Sequence, residues 1–267
     1  MAELFRQFLK PLKLYFSDPS YREWLNVRSF ARKTKGPASV RIGPWMIKTA
    51  HPESFLWQYE QIFRKGQYAF RADRSDPLIV VCGANIGLEL FYFKKHYPDC
   101  IIHAFEADPD IAGILMENVK SNQLKDVHVY NTAVWIDHEG VAFEPEGALG
   151  GKAGSGVMKV NSIRLKDFLE KHDQIDLLVM DIEGAESIVL EDCRALLSRI
   201  KHLFVEWHGV KNEDRNLSTV LGILENEGFS WRLYNDLPSS PFNNRIVENG
   251  FDAMAEIYAE RTTLQQR

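Results

Sequence analysis

From Leu78 onward, unbroken apolar runs alternate with stretches in which apolar residues recur every three to four positions. The first run, Leu78-Ile79-Val80-Val81-Cys82, stops at a glycine. A strand buried on both faces of a parallel sheet has this composition. Ile101-Ile102-His103-Ala104-Phe105 is a second run, ending at Glu106, and 127–130, 176–180 and 202–205 are three more. Helical spacing fills the intervals at 87–96, 109–121 and 165–171, around Ile188, Val189 and Leu190, and at 217–227. Strands separated by helices predict a parallel sheet joined by right-handed crossovers. The last two strand patterns, 229–234 and 254–258, share a connection with Pro238, Pro241 and Gly250 but no helical period. A link without a helix predicts an antiparallel pair closing the sheet edge. The expected fold is a Rossmann-like α/β domain, with a mostly parallel seven-stranded sheet and an antiparallel C-terminal pair.

Residues 1–75 lack this alternation and read as an N-terminal extension, helical with a hairpin, ahead of a main domain at 76–267. Val40-Arg41-Ile42 and Trp45-Met46-Ile47 flank Gly43-Pro44, the pattern of a short hairpin. Phe55, Tyr59, Ile62 and Phe63 keep helical spacing over 52–65, and Gly66 is a stop. Ahead of them Leu4, Phe5, Phe8, Leu9, Leu12, Leu14, Tyr15 and Phe16 mix with Arg6, Lys10 and Lys13. Such a segment either packs its apolar side on the domain, with Pro11 as a kink, or makes a peripheral contact with a membrane surface.

Composition narrows the setting. Of the 267 residues 45% are hydrophobic and 26% charged, the balance of a folded globular chain. A formal net charge of −5 supplies no global attraction for nucleic acid, so no nucleic-acid partner is expected. Cys82, Cys100 and Cys193 show no C-x-x-C spacing. That predicts neither a zinc site nor a disulfide framework and points to the cytoplasm, with any membrane contact on its inner face. No apolar stretch approaches the ~20 residues of a membrane span, and the N-terminus lacks a secretion-signal pattern. Nothing in the pattern specifies an oligomeric state.

Gly83-Ala84-Asn85-Ile86-Gly87 joins the first strand to the first helix. Gly83 permits a sharp turn, and Gly87 lets the helix start lie close beneath a ligand. A glycine turn at the carboxyl end of a central strand is where open α/β sheets bind nucleotides. Glu106, about twenty residues further on, suits an acceptor for ribose hydroxyls. The dinucleotide fingerprint requires a second glycine where Asn85 stands, so that pyrophosphate can approach the backbone. S-adenosylmethionine has a ribose and no phosphate and tolerates that bulk, which favours it over a nicotinamide dinucleotide. Ala84, Asn85, Ala133 and Asp181 join Gly83, Gly87 and Glu106 as expected cofactor contacts. A second glycine-rich stretch, 147–156, contains Gly150-Gly151-Lys152. It fails the phosphate-loop pattern, because Glu146 stands where a glycine is needed and Ala153 follows the lysine, and reads as a surface loop or lid.

Three blocks in order now carry a resemblance: Val81-Cys82-Gly83-Ala84-Asn85-Ile86-Gly87, Ala104-Phe105-Glu106-Ala107-Asp108-Pro109 and Asp181-Ile182-Glu183-Gly184-Ala185-Glu186. Over roughly residues 50–210 the chain resembles the FkbM-type methyltransferases. The resemblance implies a class I methyltransferase fold, S-adenosylmethionine as donor and a hydroxyl acceptor, often on a sugar or a natural product. In one departure, Val81 stands where that family usually has an acidic residue that helps organise the methionine end of the cofactor.

Asp181, Glu183 and Glu186 follow the fourth strand, and Glu206 with His208 the fifth, so both groups should face the cofactor crevice. An alcohol is a poor nucleophile until its proton leaves in the transition state. His208 is the first candidate base, Asp181 or Glu183 the alternative, and Glu206 a candidate to orient the imidazole. Glu186 reads as a helix-start carboxylate that offsets the dipole. The same groups could bind a hard cation such as magnesium, but carboxylates at strand ends have many uses and no metal is expected. The expected function is O-methylation of a small-molecule or glycan acceptor, on a hydroxyl of a sugar, glycan or glycolipid precursor in polysaccharide biosynthesis. The alternatives are a natural-product hydroxyl methyltransferase and a non-catalytic binding protein that retains the fold.

Overall fold

The computed structural model describes residues 14–145, 151–153, 158–209, 217–234 and 253–261. Most of the amphipathic N-terminal segment, most of the glycine-rich stretch and the connection with Pro238, Pro241 and Gly250 lie outside the described residues.

Seven strands form the main sheet: β1 (Leu78–Cys82), β2 (Ile101–Glu106), β3 (Val127–Asn131), β4 (Ile175–Met180), β5 (Ile200–Gly209), β6 (Phe229–Tyr234) and β7 (Ala253–Arg261). Their spatial order is β6-β7-β5-β4-β1-β2-β3. The first five are mutually parallel, with Val81 level with Ala104 on one side and Val179 on the other. Strand β7 runs antiparallel to both β5 and β6, which closes the edge as the lack of a helical period in the sequence between β6 and β7 predicts.

The continuous apolar runs have a direct structural cause. Along β1, Val80 and Cys82 join a buried cluster on one face, while Ile79 and Val81 join a second cluster on the other. The first cluster is completed by helices Leu165–Leu169, Glu186–Cys193 and Leu217–Asn226. On the opposite face lie helices Leu88–His96 and Pro109–Ser121 together with the N-terminal elements. Each fully buried Leu, Ile or Phe in these layers contributes about 1.5–3 kcal/mol relative to exposure.

The N-terminal helix, Pro19–Lys33, starts at Asp18, whose side chain accepts from the Ser20 and Tyr21 amides. The hairpin pairs Ala38–Ile42 with Trp45–Thr49. Helix Pro52–Tyr59 continues as a wider π-helical turn, Glu60–Lys65, and stops at Gly66 with φ 71°. Val27, Ile42, Ile47, Phe55 and Tyr59 belong to the same buried cluster as Ile79 and Val81, so these elements pack directly on the sheet layer. Asn118 ties them to the glycine turn: its side chain accepts from the Lys48 amide (2.8 Å) and donates to the Ile86 carbonyl (3.0 Å).

Two features depart from the pattern read along the chain. Strand β5 runs to Gly209, so Glu206 and His208 lie within it rather than beyond it. Between β3 and β4 the chain forms a parallel pair, Ala133–Trp135 with Ser162–Arg164, and an antiparallel sheet in which Val141–Pro145 is flanked by Gly151–Ala153 and Met158–Val160. These strands of three to five residues carry too little alternation to predict. Part of the stretch read as a surface loop is therefore strand. Among the described residues no helix is long and apolar enough to cross a membrane.

Candidate active site

The carboxyl ends of β1, β2, β4 and β5 open onto one cleft. Gly83 sets the junction between two of them. Its φ is 84°, and a Cβ there would overlap the carbonyl oxygen of Asp181. Only glycine allows that approach, which is held by the Asp181 amide donating to the Cys82 carbonyl at 3.0 Å. The Gly83 and Ala84 amides both donate to the Phe105 carbonyl at 2.9 Å, lacing β1 to β2. Gly87 also has a positive φ, 83°, but its constraint is packing, because a Cβ would overlap Leu115 Cδ1.

Glu106 is fixed by the turns around it. One carboxylate oxygen accepts from the Asn85 amide and the other from the Asp108 amide, each at 2.8 Å. Each oxygen keeps lone-pair capacity toward the cleft, as a pair of ribose hydroxyls would require. Burial pushes the Glu106 carboxyl up to about 7 against the pull of those amides. Asn85 holds a left-handed φ of 45°, and its Oδ1 accepts from the Ile86 amide at 2.8 Å. Ala107, Ala133 and Val134 give the neighbouring wall an apolar surface.

At the β4 and β5 ends, carboxylates gather around one imidazole. His208 is 2% exposed. Its Nδ1 lies 3.0 Å from Glu186 Oε1, and its Nε2 lies 3.5 Å from Glu183, 3.9 Å from Asp181 and 4.0 Å from Glu206. The turn that brings these groups together is tight, with Glu183 at φ 52° and Gly184 at φ 96°. Glu186 Oε1 also accepts from the Gly184 amide (2.9 Å) and the Ile182 amide (3.3 Å). Burial alone would depress the imidazole, but Glu186, Asp181 and Glu183 outweigh it and raise the group to about 10. Burial, with the charge of Asp181, pushes Glu206 up to about 8. Burial and the charge of Glu183 hold Asp181 well above the usual carboxylate range. At neutral pH the stable arrangement is an imidazolium among acids that share protons.

Ligand atoms of Asp181, Glu183 and His208 lie within 4.8 Å of one another, a grouping able to hold a metal ion.

Of the residues singled out in the sequence, Gly83, Asn85, Glu106, Ala133, Asp181, Glu183, Glu206 and His208 line this cleft, whereas Ala84 and Gly87 do not. Glu206 and His208 share a face because β5 continues through both, yet the imidazole is anchored by Glu186 and not by Glu206. The helix-start position of Glu186 gave no sign of that contact, which joins residues far apart in sequence. Two further contributions escaped the pattern. Trp57, Ile62, Gln67 and Tyr68 from the N-terminal region form part of the cleft wall, and Glu89, from the helix after the glycine turn, presents a carboxyl to it. Buried polar residues in a helix enclosed on most sides leave no periodic signal.

Comparison with known proteins now bears on this geometry. Residues 82–231 match the family model described as the methyltransferase FkbM domain. Methyltransferase sdnD of Sordaria araneosa is 28% identical over 172 residues, which cover 50% of this chain and 66% of that protein. The 2-O-methyltransferase NoeI of Sinorhizobium fredii is 24% identical over 159 residues, or 51% of this chain and 65% of its own length. The chain thus spans just under two thirds of each of these relatives. A crystal structure of a methyltransferase FkbM from Methylobacillus flagellatus superposes with a TM-score of 0.50 at 16% identity, covering 97% of this chain and 60% of that one, and shares the class I methyltransferase fold. With its match extending over more than half of its length, the chain belongs to the FkbM methyltransferase family.

Proposed function

We propose that the chain transfers a methyl group from S-adenosylmethionine to a hydroxyl oxygen of a sugar, glycan or glycolipid precursor. The donor is the one FkbM methyltransferases use. When bound, it supplies a methyl group already made electrophilic by the adjacent sulfonium. The chain's own residues have three tasks. Glu106 holds the ribose hydroxyls, with Ala107, Ala133 and Val134 beside the base. The carboxylates of Asp181, Glu183 and Glu206 accept hydrogen bonds from a polyol and orient one hydroxyl. Asp181, the most accessible of the three, takes the proton that the hydroxyl loses. His208, as an imidazolium held by Glu186, favours ionisation of the carboxylates around it, against the burial that raises Asp181 and Glu206.

The observation that carries this reading is the convergence of three carboxylates on one buried imidazolium, beside the Glu106 cradle. A hydroxyl acceptor needs a proton acceptor at that place, and the 2-O specificity in the name of NoeI supports oxygen as the target. The test is transfer of an isotope-labelled methyl from S-adenosylmethionine to a panel of saccharides and glycolipids, with products located by mass spectrometry. Asp181→Asn should lower turnover by ~10²–10⁴-fold. The Asp181 carboxyl, held above its usual range, must first lose its own proton, so turnover should still rise with pH above the range in which an ordinary carboxylate has finished ionising. Methyl transfer to nitrogen, or an Asp181→Asn variant as active as the parent, overturns the reading.

A further inference from the structure

Five carboxyl side chains line the cleft: Glu89, Glu106, Asp181, Glu183 and Glu206. Among the described residues no lysine or arginine lines it, and His208 is the one basic side chain there. The cleft therefore offers a ligand acid groups and one imidazolium. Asp181, Glu183 and Glu206 face the His208 imidazolium and Glu106 is held by two amides, whereas, among the described residues, the carboxyl of Glu89 meets only its own backbone amide. It stands in the first turn of helix Leu88–His96 and is 6% exposed. Its Oε1 is fully buried with no hydrogen-bond partner. Burial, with a contribution from Glu106, pushes its carboxyl up to about 8. Such a group costs stability in the free protein and is kept where a ligand satisfies it. Val81, which also lines the cleft, is apolar and brings no charge to it.

We propose that Glu89 pairs with the α-ammonium group of the methionine portion of S-adenosylmethionine and so fixes the amino-acid end of the donor. The placement agrees with the rest of the cleft: Glu106 takes the ribose on one side of the glycine turn, and Glu89 lies on the helix that leaves its other end. An ammonium is the part of this donor that offers N–H donors and a positive charge together, which a buried carboxylate can pair by charge-assisted hydrogen bonds. This inference rests on the donor assignment above.

Calorimetry separates the two. S-adenosylhomocysteine carries the ammonium, whereas 5′-methylthioadenosine keeps the adenosine and thioether but lacks the amino-acid portion. Glu89→Gln should weaken S-adenosylhomocysteine by at least about tenfold, the loss of a hydrogen bond to a charged group, and leave methylthioadenosine within about twofold. Because glutamine fills the same volume as a carboxyl that burial already keeps largely protonated near neutral pH, the free variant should melt close to the parent. Equal weakening of both ligands, or of neither, overturns the role of Glu89 while leaving the donor assignment intact. Failure of the parent protein to bind either ligand removes the donor assignment itself. Should the variant not fold, desamino-S-adenosylhomocysteine offered to the parent protein decides the matter. It should bind at least about tenfold more weakly than S-adenosylhomocysteine, and equal affinity overturns the inference.

Discussion

Replacing Glu186 with glutamine removes one charge from the active site and sets an amide NH₂ at the buried Oε2 position, which has no hydrogen-bond partner. The glutamine Oε1 can accept from the same three donors that Glu186 Oε1 serves, the Gly184 amide, the Ile182 amide and His208 Nδ1. What disappears is a negative charge 3.0 Å from the imidazole. At an effective dielectric of about 20, two unit charges at that distance attract by ~5 kcal/mol, which corresponds to about four pKa units. Glu183 and Asp181 remain at 3.5 and 3.9 Å from Nε2 and continue to favour the imidazolium. The net fall should therefore be ~2–4 units from the parent value of about 10. The same shift governs stability. A histidine whose folded pKa exceeds its unfolded value contributes stability that is complete below about 6.5 and is lost as pH rises through the folded pKa. The pH-dependent part of the destabilisation in Glu186→Gln should thus be largest below pH ~6.5 and vanish toward pH ~10, above a constant cost from the unpartnered amide. Ring resonances of His208, followed by heteronuclear NMR across pH in parent and variant, measure the shift directly, and urea unfolding at several pH values measures its linkage. A His208 midpoint that stays within about half a unit of the parent value would refute the assignment of Glu186 as the main anchor.

The ribose and glycine assignments give two more expectations. Glu106→Gln should weaken S-adenosylhomocysteine by ~10–100-fold in calorimetry, since a charged acceptor is lost and an amide NH₂ is turned toward a backbone donor; unchanged affinity would remove the ribose assignment. Gly87→Val should destabilise the fold by ~2–5 kcal/mol in urea titration, from a β-branched residue at positive φ and overlap with Leu115. In the same helix as Leu115, Gly113→Ala meets nothing within 4 Å and should stabilise slightly; equal effects at the two glycines would refute the packing argument.

What could be read along the chain, and what could not, follows from where polar groups are buried. Strands β1 and β2 were legible because both faces of each are covered, which leaves an apolar run ending at Gly83 or Glu106. Helix Pro109–Ser121 was legible to the residue, since Asp108 caps it and Pro109 begins it. The full length of β5 was hidden because Glu206 and His208 are buried polar residues that resemble a strand end. The burial of His208 is stabilised by Glu186 and Asp181, groups outside β5 that no local pattern relates to it. Glu89 was hidden for a similar reason, in a helix whose residues Leu88 to Lys94 are all buried. The acid-rich edge of the sheet was therefore legible as a region, while the pairings within it depended on the fold.

The overlap between a Cβ at position 83 and the Asp181 carbonyl has a consequence for anyone sorting variants. In a library selected only for soluble expression, with no cofactor and no turnover required, position 83 should already be intolerant of every side chain. Deep-mutational maps of this chain will therefore rank Gly83 beside the chemically engaged residues for a reason that has nothing to do with chemistry. Tolerance at Glu89 and Glu106 under that same selection, set against intolerance under a selection for methylation, is the contrast that separates binding duties from folding duties.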